Sequence, residues 1–459
     1  MKPTIGLEIH VELDTKTKMF CDSLNNSLEK EPNTNICPIC TAQPGSMPVI
    51  NEKAIDFVIK AGLALGCKIN KKTWFERKSY FYPDLPKGYQ ISQYEAPLCG
   101  GGELKNIRIN RIHLEEDTGR LIHNKESFVD FNRAGIPLME LVTEPDIISS
   151  IQAKEFAQEL QLIFRYLKIS NADMEKGQMR VEANISLDMG TKVEIKNLNS
   201  FKAVERAIEY EIKRQKEILD SNKKVIHETR GWDDKKQETF SQRIKETSED
   251  YRYFPEPDLP ILNISDKKIQ ELKFELPELP ENRRKRFEKE YKIKDVEFFI
   301  NNPVFGDFFE NTISELKAWL EAGKINTDID PLIRLCANYI STEFPKLKGE
   351  ITPENFAELI YLTFIGDISS SGAQQVLKEM FKTKKDPSQI IKQKNLKQMS
   401  DKGDLDKIID KIIENNKEAV DNFKKGKQGS LQFLIGQVMK ETKGAANPKI
   451  AGEMIEKRL

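Results

Sequence analysis

Residues 4–13, TIGLEIHVEL, alternate almost without slack: Ile5, Leu7, Ile9 and Val11 fall on one parity, and Gly6, Glu8, His10 and Glu12 on the other. Successive side chains of a strand point to opposite faces, so the run predicts a strand with one apolar face and one that sets carboxylates around an imidazole. Side chains two apart on that face are roughly 7 Å from each other. The segments RIHLEED (111–117), QMRVEANISLDMG (178–190) and KVEIKNLNSF (192–201) repeat the pattern. In them Val181, Ala183, Ile185, Leu187, Val193 and Ile195 oppose Arg180, Glu182, Asn184, Lys192, Glu194 and Lys196. Such runs predict antiparallel strands covered on one face only. Helical periods interleave at 52–66, 150–169 and 203–219. The fold class expected is α+β: a mainly antiparallel-sheet cradle followed by helices.

Proline interrupts FPEPDLP (254–260) and ELPELPENRRKRF (275–287) every few residues, which reads as connecting chain. Beyond about residue 290 the apolar period lengthens to that of amphipathic helices, in ENFAELIYLTFI, SSSGAQQVLKEMFK, LDKIIDKIIENNKEAVDNFKKG and SLQFLIGQVMKET. The Lys-rich stretch 382–404 reads as a junction between helical modules. The expected domains are an α+β cradle at 1–292, a helical domain at 293–399 and a small helical tail at 400–459. A length of 459 residues suits about three domains.

The chain balances 72 basic against 73 acidic residues, so net charge neither demands nor excludes a polyanionic partner. No apolar run is long enough to span a bilayer and no signal-like segment opens the chain. The setting expected is cytoplasmic, with no membrane partner. Six cysteines in such a length argue against a disulfide framework. Cys37 and Cys40 form a CxxC preceded by Cys21, with Asp22 or Ser23 as weak fourth donors for a zinc ion. Cys67, Cys99 and Cys336 read as small apolar residues.

Carboxylates accumulate in Glu115, Glu116 and Asp117, then in Glu140, Glu144 and Asp146. With imidazoles near and few thiols, such a set suits a hard cation such as Mg²⁺ or Mn²⁺, or else a solvated face with ordinary ion pairs. ERKSYFYPDLPKGYQISQYEAP (76–97) interleaves Tyr80, Phe81, Tyr82, Tyr89 and Tyr94 with Arg77, Lys78 and Lys87. That mixture holds phosphate and stacks bases, or else forms an aromatic cluster shaped by proline. Arg180, Lys196 and Asn199 are further candidates for a phosphate or hydroxyl. No P-loop, GxGxxG-opened helix, HExxH or GxSxG occurs. SSSGAQ (369–374) is explained by a serine N-cap. Lysines in 422–430 and 440–459 suit either helix ends or a phosphate backbone.

Longer phrases add to this reading. IGLEIHVEL, EPNTNICPICTAQPGSMPV, RKSYFYPDLPKGYQISQY, HLEEDTG, NRAGIPLMELVTEPD, VEANISL, KNLNSFKAVERAIEYE and SEDYRYFPEPDLP closely resemble the B-subunit family of the glutamyl/aspartyl-tRNA amidotransferases. The likeness runs in order through 4–260, and FLIGQVMKETKGAANPKIA is similar to that family's tRNA-binding tail. The resemblance implies ATP-dependent phosphorylation of the side-chain carboxylate on misacylated Glu-tRNA(Gln) or Asp-tRNA(Asn), then displacement of phosphate by ammonia. It implies three partners: an amidase (the A-subunit), which makes the ammonia from glutamine, a small third protein (the C-subunit), and the charged tRNA. Joining two anions calls for a divalent ion, and motif by motif the family's Mg²⁺ ligands fall on Glu8, His10, Glu116 and Glu140. Lys78 falls where a phosphate or the reacting acyl group is contacted, with Tyr80, Arg180 and Lys196 as further nucleotide contacts. Strict alternation instead groups His113, Glu115 and Asp117, and leaves Glu116 with Ile112 and Leu114, unless the strand ends or bulges near Glu115. Ser23 stands where some relatives have a fourth cysteine, which leaves zinc open. Two rivals remain: a non-catalytic tRNA scaffold and a free-standing metallohydrolase. Carboxylates concentrated where a polyanion approaches disfavour the scaffold unless a metal lies between.

Overall fold

The computed structural model describes residues 1–459 except 124–125, 245–250, 397–401, 425–426, 428, 443–445 and 447. The chain forms two compact units, Met1–Pro280 and Glu281–Leu459.

The first unit is built on a ten-stranded sheet. Its main strands are β1 (Pro3–Glu12), β4 (Ile107–Glu116), β5 (Pro137–Thr143), β6 (Met179–Leu187), β7 (Val193–Leu198), β8 (Glu228–Asp233) and β9 (Glu238–Ile244). A separate small sheet contains β2 (Glu76–Ser79) and β3 (Tyr89–Ser92). In the large sheet the order is β9-β8-β7-β6-β1-β5-β4, continued by the two-residue strands Cys99–Gly100 and Lys68–Ile69. The opening stretch is therefore central, antiparallel to β5 on one side and β6 on the other. Only β7 and β8, among these main strands, pair in parallel.

The alternation of β1 explains its position. Ile5, Leu7, Ile9 and Val11 are fully buried in a core shared with α1 (Glu52–Ala64), α2 (Ser150–Tyr166) and α3 (Phe201–Asp220). Each helix starts at a side-chain cap: Asn51 accepts from Lys53 N and Ala54 N, Ser149 from Gln152 N, and Ser200 from Ala203 N. Helices cover one face of the sheet, and the small sheet and a tyrosine-rich segment border a cavity on the other.

The proline-rich connectors are partly structured. Phe254–Pro255 pairs with Glu76 and Arg77 at the edge of the small sheet, where a missing N–H is tolerated. Within 275–287, Pro280 opens a helix, Pro280–Tyr291, because a first-turn proline loses no hydrogen bond.

The second unit is helical in its regular structure. Phe299, Phe309, Phe344 and Phe356 are buried aromatic anchors, with Phe299 and Phe309 ring centroids 4.8 Å apart and Phe344 and Phe356 5.0 Å apart. Helices Lys402–Asn415, Gly429–Glu441 and Pro448–Glu456 enclose a separate core of Leu405, Ile409, Leu434, Val438, Ala451 and Ile455. The Lys-rich junction contains a helix, Pro387–Lys394, capped by Asp386; its residues 397–401 lie outside the described ones. The long apolar period at 405–426 divides into Lys402–Asn415 and Lys417–Lys424. The lysines of 422–430 and 440–459 fall partly outside the described residues. Among the described residues, no helix is long and apolar enough to cross a membrane.

Candidate active site

Sheet register builds the site row by row, because residues opposite each other on neighbouring strands share a face. One row runs Arg180–His10–Glu140–His113 across β6, β1, β5 and β4. The next runs Glu182–Glu8–Val142–Arg111. Every member of both rows except Val142 lines a cavity of about 770 Å³.

In the first row Glu140 Oε2 lies 3.3 Å from His10 Nε2 and 3.3 Å from His113 Nε2. Glu115 completes the group, with Oε1 3.9 Å from His10 Nε2 and Oε2 3.8 Å from His113 Nε2. Ser92 Oγ donates to Glu115 at 2.9 Å and fixes it. Burial alone would lower the His113 pKa, but Glu140 and Glu115 outweigh it and lift it to about 9. Burial likewise works to raise Glu140, and the two imidazoles hold it well below the usual carboxylate range. His10, Glu115 and Glu140 each offer a donor atom, all within 4.8 Å of one another.

Glu8, Glu182 and Glu194 form a second group whose donor atoms likewise lie within 4.8 Å of one another. Burial and the neighbouring carboxylates Glu140, Glu182 and Glu194 raise the Glu8 pKa. Asn184 Nδ2 donates to Glu8 Oε1 at 2.8 Å, and Lys196 Nζ lies 3.1 Å from Glu182 and 3.6 Å from Glu194. Both groups offer hard carboxylate oxygens, the first with an imidazole nitrogen beside them, which fits a divalent cation.

Lys78 reaches the cavity from β2, where it pairs with Gln90 of β3. Its ammonium lies 5.0 Å from the Tyr251 ring centroid and 6.0 Å from that of Tyr80. Burial works against its charge, and Glu115 and Glu140 overcome it, so the pKa rises. The Tyr80 hydroxyl donates to Gln90 at 3.3 Å. Arg180 is held by Asp117 at 2.8 Å, and Arg133 forms an ion pair with the same carboxylate oxygen at 3.4 Å.

The structure thus gathers Glu8, His10, Lys78, Tyr80, Glu140, Arg180 and Lys196 around one cavity. It does not place Glu116 with them. Strand β4 keeps its alternation to the end, so Arg111, His113 and Glu115 face the cavity and Glu116 points away. Glu116 accepts from Ile91 N at 2.9 Å and pairs with Lys87 Nζ at 2.6 Å, beside a separate cavity of about 290 Å³. The parity of RIHLEED carries the signal for Glu115, against the motif match to Glu116. Glu182 and Glu194 also line the cavity, and their parity on their strands is the sequence signal for it.

Cys21, Cys37 and Cys40 bring their sulfurs within 4.8 Å of one another. Ser23 Oγ lies 3.8 Å from Cys40 Sγ, and the fully buried Lys18 places Nζ 3.6 Å from the same sulfur. The hydrogen bond from Cys21 and the Lys18 charge pull the Cys40 thiol down against its burial. Three soft donors and a hydroxyl fit zinc at three positions and leave the fourth weak.

Comparison with known proteins decides the lineage. The family model described as the GatB/GatE catalytic domain matches residues 3–270, and that described as the GatB domain matches 307–459. The chain belongs to the GatB/GatE family. The aspartyl/glutamyl-tRNA(Asn/Gln) amidotransferase B-subunit of Persephonella marina is 45% identical over 100% of the chain and 99% of that protein. The B-subunit of Thermosipho melanesiensis is 46% identical over 100% and 99%, and one from Clostridium acetobutylicum 43% over 99% and 98%. The catalytic-domain match in this GatB/GatE chain contains every residue that faces the 770 Å³ cavity.

Proposed function

We propose that this chain is the carboxylate-activating and amidating subunit of a glutamine-hydrolysing aminoacyl-tRNA amidotransferase. The side-chain carboxylate of Glu on tRNA(Gln), or of Asp on tRNA(Asn), attacks the γ-phosphorus of ATP and ADP leaves. Ammonia then attacks the acyl carbon of the acyl phosphate, the carbon–oxygen bond to phosphate breaks, and hydrogen phosphate carries off the proton. The ammonia comes from glutamine in a partner amidase, and a small third protein completes a cytoplasmic heterotrimer.

The observation that carries the reading is the cavity in which Lys78 faces two anionic donor groups. The Lys78 ammonium attracts the transferred phosphoryl oxygens, and Tyr80 borders the same space. Asp117, itself paired with Arg133, holds Arg180, and Glu182 and Glu194 hold Lys196, so both cations are fixed before a nucleotide arrives. His10, Glu115 and Glu140, with Glu8, Glu182 and Glu194 beside them, are the residues suited to hold Mg²⁺, which would neutralise the charge of the meeting anions. Glu115 takes the place that the motif match gave to Glu116. Residues 1–292 carry this chemistry, 293–399 are a helical domain and 400–459 the tRNA-binding tail.

The test is reconstitution with the amidase and the small third protein, followed by ATP- and glutamine-dependent conversion of Glu-tRNA(Gln) and Asp-tRNA(Asn). Amide on at least one of them is expected; a fully assembled complex that forms neither overturns the reading. Zinc bound by Cys21, Cys37 and Cys40 is a separate proposal. About one zinc per purified chain, lost in Cys37→Ser, is the expected result, and a metal-free native chain contradicts it.

A further inference from the structure

Arg111 lines the cavity and has no part in this scheme. Arg111 shares the β4 face with His113 and Glu115. In its row Val142 separates it from Glu8, and on its other side Gly100 contributes no side chain. A Cβ built on Gly100 would meet nothing within 4 Å, so the ground beside Arg111 is open. Arg180 and Lys196 are each held by carboxylates, but no carboxylate pairs with Arg111 among the described residues. Its Nη1 reaches Asn110 Oδ1 at 3.4 Å, and its Nε is buried with no hydrogen-bond partner among the described residues. A guanidinium without a carboxylate partner retains donors that an incoming anion can satisfy.

Beside it stands a fixed aromatic surface. Tyr94 and Tyr253 stack with centroids 4.7 Å apart and planes 14° apart. Both rings border the cavity, and the Arg111 charge reaches the Tyr253 phenol. Tyr94 is 55% exposed, so one ring face is free. Its backbone is anchored, because Tyr94 N and Glu95 N donate to the buried Glu76 carboxylate at 2.6 and 2.8 Å. A rigid open ring next to an unpaired guanidinium suits a base with its phosphate.

We infer that Arg111, Tyr94 and Tyr253 form an adenosine-nucleotide subsite at the rim of the cavity, with the purine on Tyr94 and a phosphate on Arg111. The inference rests on the proposed function, whose two large reactants each carry an adenosine: ATP, and the 3′-terminal nucleotide of the tRNA. Lys78 serves the reacting group, and Arg111 anchors the nucleotide that delivers it.

The experiment measures the KM for ATP and for Glu-tRNA in the reconstituted complex bearing Arg111→Met, Arg111→Lys, Tyr94→Ala or Tyr94→Phe. Loss of the ion pair or of the stack raises the KM of one and the same reactant about tenfold or more, with a smaller change in kcat. The Lys and Phe variants, which keep the charge and the ring, raise it less. A rise for ATP assigns the ATP adenosine, and a rise for Glu-tRNA the terminal adenosine. The inference is overturned if both KM values stay within about threefold, or if Arg111→Met and Tyr94→Ala move different reactants. A second arm needs no variant: 8-azido-ATP, or tRNA ending in 8-azidoadenosine, should photolabel Tyr94 or Tyr253. Labelling elsewhere by both probes overturns the subsite. An inactive wild-type complex contradicts the proposed function instead, so the two failures are distinguishable.

Discussion

Glu115 and Glu116 are adjacent in sequence and face different chambers. The first lies among His10, His113 and Glu140; the second pairs with Lys87. Exchanging one carboxylate oxygen for an amide at each position separates their roles. Glu115→Gln should weaken Mn²⁺ binding, followed by electron paramagnetic resonance, about tenfold or more, and Glu116→Gln should leave it nearly unchanged. The reverse order contradicts the placement. His113 gives a pH prediction with a definite sign. Its pKa is lifted to about 9 from the ordinary imidazole value of about 6.5. The stability this contributes is complete below about pH 6.5 and is lost as the pH rises toward 9. The melting temperature of chelator-treated protein should therefore fall across that window, and His113→Asn should flatten the fall. Equal slopes in both proteins contradict the assignment.

At the scale of elements, alternation made β1, β6 and β7 legible, because one face of each is buried and the other is not. Parity alone placed Glu8 and His10 on the face where they are found. It was silent on partners across the sheet, since the His10–Glu140 and Glu8–Glu182 registers join strands far apart in the chain. Lys78 was legible only as a basic residue among aromatics, because β2 belongs to a different sheet and no periodicity predicts how that sheet borders the first. The Tyr94–Tyr253 stack left no trace in the sequence for the same reason. Proline misled at Pro280, which opens a helix, and the lysine content of 382–404 hid the helix that Pro387 opens. Packing of α1 gives a prediction at this scale. A Cβ on Gly62 would come within 2.5 Å of Cys99 Sγ, on a strand next to β4. Gly62→Ala should destabilise the protein by about 1–3 kcal/mol in denaturant titration, despite its better helix propensity. A more stable variant contradicts the close approach.

At the scale of the whole molecule, two units divide the work proposed here. The cavity lies wholly within the first, and the lysine-bearing terminal helices lie in the second. Removing residues 400–459 should raise the KM for charged tRNA about tenfold or more and flatten its dependence on salt, with the KM for ATP little changed. Equal KM values for tRNA with and without the tail contradict that division. The central claim concerns the face that β1 turns toward the cavity, where carboxylates and an imidazole let two anions react. The most direct measurement is amide formation on Glu-tRNA by the reconstituted complex carrying Glu8→Gln together with His10→Ala, alongside its affinity for that tRNA. The account predicts that turnover is abolished while tRNA affinity stays within about threefold of the unaltered complex. Unchanged turnover in the double variant would contradict it.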